Sequence, residues 1–105
     1  MSLFRRRFKL AELKAQLEVN RAFIRQCAAK YDRGELTTTD ASIAKLSATE
    51  LQFKVADECL QLHGGYGYMR EYQVSRDFVD ARVQRIYGGA SEIMKELIAR
   101  SILGR

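Results

Sequence analysis

The 105 residues carry 18 Lys and Arg against 13 Asp and Glu, a net charge of +5, with two cysteines, no proline and no tryptophan. A chain of this length is at most one small domain and cannot pair a dinucleotide-binding domain with a substrate domain. Its 47% apolar and 30% charged residues exclude a disordered polymer, and no apolar run approaches the roughly 20 residues of a transmembrane helix.

Proline averages about five per hundred residues and is least tolerated in helix interiors, so its absence points to an all-α chain. In the first predicted helix Leu10, Leu13, Leu17, Asn20, Ile24, Cys27 and Tyr31 recur at steps of three and four, which puts them on one stripe. Val19 and Phe23 widen that stripe, and the helix should end near Arg33 and Gly34. Thr37-Thr38-Thr39-Asp40 resembles a capping box for a second long helix. Along 41–62 that helix carries Ala44, Ala48, Leu51, Val55, Cys59 and Leu62 on one face, and it stops at the glycines of Gly64-Gly65-Tyr66-Gly67, which cannot sustain a helix. A short helix over 74–83 turns Val74, Phe78 and Ala81 one way and Arg76, Asp77, Asp80 and Arg82 the other. Gly88-Gly89 separates it from a last helix, from Ala90 or Ser91 to Leu103, with Ile93, Met94, Leu97, Ile98 and Ile102 apolar. There is no internal repeat and no interdomain linker, so residues 1–105 form one domain: an antiparallel helical bundle of two long and two shorter helices.

Arg5, Arg6 and Arg7 form the one run of three adjacent like charges; elsewhere the basic residues are interspersed with Glu and Asp. A solvated helix face accounts for them; a non-catalytic helical interaction module binding an acidic partner is the alternative. Cys27 and Cys59 have no CxxC spacing and only His63 for company, so they read as buried thiols and no metal site is expected.

Function is most legible at the two glycine corners. Gln61-Leu62-His63-Gly64-Gly65-Tyr66-Gly67-Tyr68 combines an amide, closely spaced glycines and tyrosines. Two uses fit: a sharp helix-ending turn, or a place where a phosphate or ring approaches main-chain N–H groups. It is no Rossmann fingerprint, because it closes a helix instead of opening one. Tyr87-Gly88-Gly89-Ala90-Ser91-Glu92 leads into the last helix, whose free N–H groups suit an anionic or carbonyl oxygen. A glycine turn with Ser91 as N-cap is the plainer account.

These two segments, with Glu71-Tyr72, Arg76-Asp77, Asp80-Ala81-Arg82, Ile98-Ala99-Arg100 and, upstream, Lys9-Leu10-Ala11-Glu12 and Ala44-Lys45, resemble the C-terminal helical domain of acyl-CoA dehydrogenases. The Tyr87-Gly88-Gly89 form and Met94-Lys95-Glu96-Leu97 look most like the long-chain branch. The resemblance implies an FAD-dependent oxidoreductase of fatty acid metabolism. A carboxylate takes the α-proton of an acyl-CoA thioester, the β-hydrogen leaves as hydride to the flavin, and electrons pass to an electron-transferring flavoprotein. It further implies that Gln61, Leu62, His63, Gly64 and Gly65 contact the adenosine and pyrophosphate part of a neighbouring subunit's FAD, and that Ala90 and Glu92 meet FAD. Tyr87 would line the acyl pocket, with Gly89 beside it, and the Gly88 N–H would hold the thioester carbonyl and stabilise enolate character.

Three departures qualify the resemblance. Many relatives carry the catalytic glutamate at the position of Gly88, which has no side chain; long-chain and isovaleryl-type relatives place the base on an earlier helix instead. Ala90 lacks a threonine's hydroxyl, and Gln73 stands where proline is usual. The expectation is therefore a C-terminal piece lacking the first helix of the family's four-helix bundle and the catalytic base, inactive alone and without tightly bound FAD. The missing helix should leave a stripe including Leu13, Leu17 and Phe23 exposed, favouring a homo-oligomer. Neither nucleic acid nor membrane is an expected partner, and the expected location is cytoplasmic in a bacterium or the mitochondrial matrix in a eukaryote.

Overall fold

A computed structural model describes residues 3–87 and 89–104, apart from the side chain of Tyr66. It contains four α-helices and no strand among the described residues: α1 Leu3–Asp32, α2 Thr38–Leu62, α3 Gln73–Gln84 and α4 Ser91–Leu103. The all-α expectation holds, and the chain is a helical bundle. α2 is its hub, since α1, α3 and α4 all pack on it and, among the described residues, none of them packs backbone-to-backbone on another.

α1 and α2 run antiparallel in a register marked by three polar ties. Lys9 Nζ lies 2.7 Å from Glu58 Oε2, Asn20 Nδ2 donates to Ser47 Oγ at 2.9 Å, and Lys30 Nζ donates to Asp40 Oδ2 at 3.2 Å. The start of α2 is capped as expected, with Thr37 Oγ1 accepting from the Asp40 N–H at 3.0 Å.

The stripe on α1 splits into two edges. Leu13 (4% exposed), Asn20 and Cys27, seven residues apart, turn toward α2, whereas Leu10, Leu17, Ile24 and Tyr31 stay exposed. This corrects the expectation that Leu13 would be uncovered: its edge is the one that α2 buries, for about 1.5–3 kcal/mol in the case of a leucine. Leu17 is exposed as expected, and Phe23 is half-buried beside a groove lined by Ala15, Val19, Ile43, Ser47 and Leu51. Cys27 is buried but Cys59 only half-buried, and both are free thiols.

The most buried line on α2 is Ser42, Thr49 and Ala56, again seven apart. Two of the three are polar, so an apolar-stripe reading passes over them. Burial costs them little, because Ser42 Oγ donates to Thr38 O at 2.8 Å and Thr49 Oγ1 to Lys45 O at 2.7 Å. On the facing helix Ala81 is 1% exposed, and Phe78 of α3 meets Phe53 of α2 at a centroid distance of 5.4 Å. The Arg85 guanidinium lies 4.9 Å over the Phe53 ring, completing a stack worth about 1–2 kcal/mol beyond area burial.

A radius of gyration of 16.2 Å exceeds the ~13 Å of a compact chain of this length. The accessible surface, 7710 Å², likewise exceeds the ~6,000 Å² that size scaling gives for a 12.0 kDa monomer. Three helices around one hub leave much apolar surface uncovered.

Candidate functional site

The first glycine corner closes α2. The His63 N–H bonds to Cys59 O at 3.2 Å and Leu60 O at 3.1 Å, and His63 Nδ1 lies 2.7 Å from Cys59 O. A carbonyl only accepts, so Nδ1 bears a hydrogen and is the donor here. Beyond His63 the chain does not open into an irregular loop: Gly64–Tyr68 winds a 3-10 turn. The glycines end the α-helix as expected, yet a tighter coil continues. Its reason lies at Gly67, where any Cβ would come 2.4 Å from Leu60 O. The bare backbone thus tucks against the last turn of α2. Gly65 has nothing within 4 Å of a Cβ position, and Gln61, His63, Gly64 and Gly65 are all exposed while Leu62 is half-buried. Tyr68, 86% exposed, stands at the end of the turn. A ligand therefore has open access to backbone and amide side chain here.

The second corner spans residues 85–90, between α3 and α4. Ser91 is not the N-cap; that position is Ala90, which makes no side-chain cap bond. Ser91 is instead the first helical residue and is buried, its N–H bonding to Arg85 O at 3.2 Å and its Oγ donating to Glu50 Oε1 at 2.9 Å. Glu50 also accepts from Arg85 Nε at 3.0 Å. Lys45 Nζ donates to Gln84 O at 3.2 Å and to Gly89 O. Gly89 has φ +121, a conformation that favours glycine, and a Cβ there would meet Met94 Cε at 2.7 Å. Tyr87 is 53% exposed, and its hydroxyl donates to Gln84 Oε1. Glu92 is exposed in the first turn of α4, beside Ile93, Glu96, Leu97 and Arg100. Gly88, expected to hold a thioester carbonyl, lies outside the described residues.

The two corners do not converge on one spot of the chain. The first stands at Leu62 and the second is tied to Lys45 and Glu50, about 12 to 17 residues earlier on α2, or ~18–26 Å along the helix axis. Lys45, Glu50 and Arg85, which build the second corner, were not singled out for that role by motif reasoning. Their partners are 35 to 44 residues away in sequence, so no local spacing signals them. Among the described residues no group of three His, Cys, Asp or Glu side chains is placed to hold a metal ion, and no helix is long and apolar enough to cross a membrane.

Compared with known proteins, residues 5–103 match the acyl-CoA dehydrogenase, C-terminal domain, family. Over 95 residues the sequence is 57% identical to the mitochondrial long-chain specific acyl-CoA dehydrogenase of Mus musculus, covering 90% of this chain and 22% of that relative. Over 96 residues it is 38% identical to the 3-(aryl)acrylate reductase of Clostridium sporogenes, covering 91% and 26%. The solved butyryl-CoA dehydrogenase of Megasphaera elsdenii aligns with a TM-score of 0.91 at 36% identity, covering 97% of this chain and 27% of that one. The chain thus spans about a quarter of the length of the relatives it matches.

Proposed function

The chain belongs to the acyl-CoA dehydrogenase C-terminal domain family, and from that premise we propose that it forms the FAD-contacting and subunit-contacting part of an FAD-dependent acyl-CoA dehydrogenase. The reaction is α,β-dehydrogenation of an acyl-CoA thioester, with electrons passing to an electron-transferring flavoprotein. The observation that carries this reading is the 57% identity to a long-chain dehydrogenase over nine-tenths of the chain.

The residues fit the cofactor at both corners. At the first, Gln61, His63, Gly64 and Gly65 expose an amide side chain and unobstructed backbone, with Leu62 behind them; they would hold the adenosine and pyrophosphate part of a neighbouring subunit's FAD. At the second, Ala90 and Glu92 would border the flavin, while Tyr87, Gly88 and Gly89 would border the acyl thioester. The ~18–26 Å along α2 between the residues that anchor the two corners favours this division over one shared contact. FAD, when bound, supplies the hydride-accepting ring. The chain's own share is to position, because Gly88 has no side chain with which to take a proton. The long-chain relatives are mitochondrial, and in a eukaryote the matching location for this chain would be the mitochondrial matrix.

The uncovered surface supports self-association. The excess of ~1,700 Å² over a compact monomer is about twice the ~800 Å² that each partner contributes to a standard protein interface. Sedimentation should show a concentration-dependent oligomer, and a monomer at high concentration contradicts this. The 105-residue chain should neither retain stoichiometric FAD nor reduce a ferrocenium acceptor with a long-chain acyl-CoA; turnover by the chain alone overturns the assignment of a positioning role.

A further inference from the structure

The end of α3 and the start of α4 are joined by residues 85–90, meet directly where the Ser91 N–H bonds to Arg85 O, and both pack on α2. Two opposite charges on α2 bracket this joint. Lys45 takes Gln84 O from the α3 end and Gly89 O from the α4 side; Glu50 takes the Arg85 guanidinium from the α3 end and the Ser91 hydroxyl from the α4 start. The placement matches the helix dipoles. Gln84 O is one of the last carbonyls of α3, which have no intrahelical partner and form the negative end, where a cation is favoured. Ser91 opens α4, the positive end, where the Glu50 carboxylate is favoured.

A consequence follows for the peptide between Gly89 and Ala90. It is trans and planar, so its C=O and N–H point in opposite directions. With Gly89 O drawn to the Lys45 ammonium, the Ala90 N–H is directed away from α2. We infer that Lys45 is the positioning residue of the second corner: it fixes the Gly89–Ala90 peptide so that the Ala90 N–H is offered on the outward side to an acceptor atom of the bound flavin. The flavin's place there rests on the function proposed above; the orientation of the peptide rests on the hydrogen bonds alone. Lys45 does not itself reach that side, since two of its three donors are committed to carbonyls.

The test is NMR on the isotope-labelled 105-residue chain with Lys45→Met and Lys45→Arg. In Lys45→Met the carbonyl resonances of Gln84 and Gly89 should move upfield, and exchange of the Ser91 amide should accelerate about tenfold or more. Lys45→Arg, which keeps a charged donor, should restore both, while signals of Asn20 and Ser47 stay in place. Carbonyl resonances unmoved in Lys45→Met overturn the inference. Should the Met variant not fold, the wild type still decides: slowly exchanging Lys45 ammonium hydrogens support the inference, and solvent-rate exchange overturns it. A titration with FAD separates the two levels. Shifts at Ala90 and Glu92 that vanish in Lys45→Met and return in Lys45→Arg support the positioning role, and identical responses in wild type and Met variant refute it. No response in the wild type refutes the flavin reading, and the carbonyl shifts then still decide the peptide's orientation.

Discussion

Replacing Gly67 by alanine tests the architecture of the first corner. The new Cβ would lie 2.4 Å from Leu60 O, 3.1 Å from Leu60 Cγ and 3.2 Å from His63 Cβ. Leu60 O belongs to the backbone of the last turn of α2 and accepts the His63 N–H, so it cannot swing aside as a flexible side chain would. Relief requires the whole 3-10 turn to move outward. Overpacking of this kind costs about 2–3 kcal/mol, which for a domain of about 100 residues lowers the melting temperature by ~8–24 °C. Two neighbours serve as controls. Gly65→Ala meets nothing within 4 Å and should melt with the wild type or up to ~1 kcal/mol higher in stability. Gly64→Ala also has space but sits at φ +64, for a loss of about 1 kcal/mol. Thermal unfolding followed by far-ultraviolet circular dichroism should give the order Gly65→Ala, Gly64→Ala, Gly67→Ala. A Gly67→Ala protein as stable as the wild type, or a Gly65→Ala protein equally damaged, refutes the argument from close approach.

Thr37→Ala removes the cap of α2 and should lower stability by about 1 kcal/mol, read as a shifted urea midpoint with unchanged slope. Asp40 reports on the same helix start through pH. The hydrogen bond from Lys30 is the main cause holding its carboxyl below the ordinary 3.8, with burial opposing and Thr37 assisting. The folded value lies below the unfolded one, so the pairing stabilises fully above pH 3.8 and is lost as pH falls through the lower folded value. Lys30→Met should raise the Asp40 titration midpoint, and carbon NMR of the carboxyl measures it. Glu50→Leu strands Arg85 and Ser91 and should cost about 1–3 kcal/mol by urea unfolding, whereas Glu50→Gln, which retains an acceptor, should cost less.

Local chemistry was legible in the sequence. The end of α1 before Gly34 and the Thr37 cap follow from turn and cap residues acting within a few positions, and the extent of α3 follows from the spacing of its apolar residues. What depended on a neighbour was not. Steps of three and four placed Leu13 and Leu17 on one stripe, but only the arrival of α2 decides that Leu13 is buried and Leu17 is not. Ser42 and Thr49 bury hydroxyls that composition assigns to the surface, because a helical carbonyl one turn back satisfies them. Ser91 reads as a cap from its position, yet the distant Glu50 carboxylate competes successfully for its hydroxyl. Lys45 was visible only as part of the family resemblance; its contact with Gly89 joins residues 44 apart. The glycine motifs marked where a ligand could approach, and their supporting charges became visible only when the helices were brought together.

The central claim, that the two glycine corners are the FAD-contacting part of this chain, is tested most directly by titrating the labelled 105-residue protein with FAD at physiological salt and mapping amide shifts. The account predicts weak binding with responses confined to residues 61–65 and 89–92. Responses clustered around Arg5, Arg6 and Arg7 and abolished by added salt would mark a general polyanion site, and that result, or no response at either corner, would contradict it.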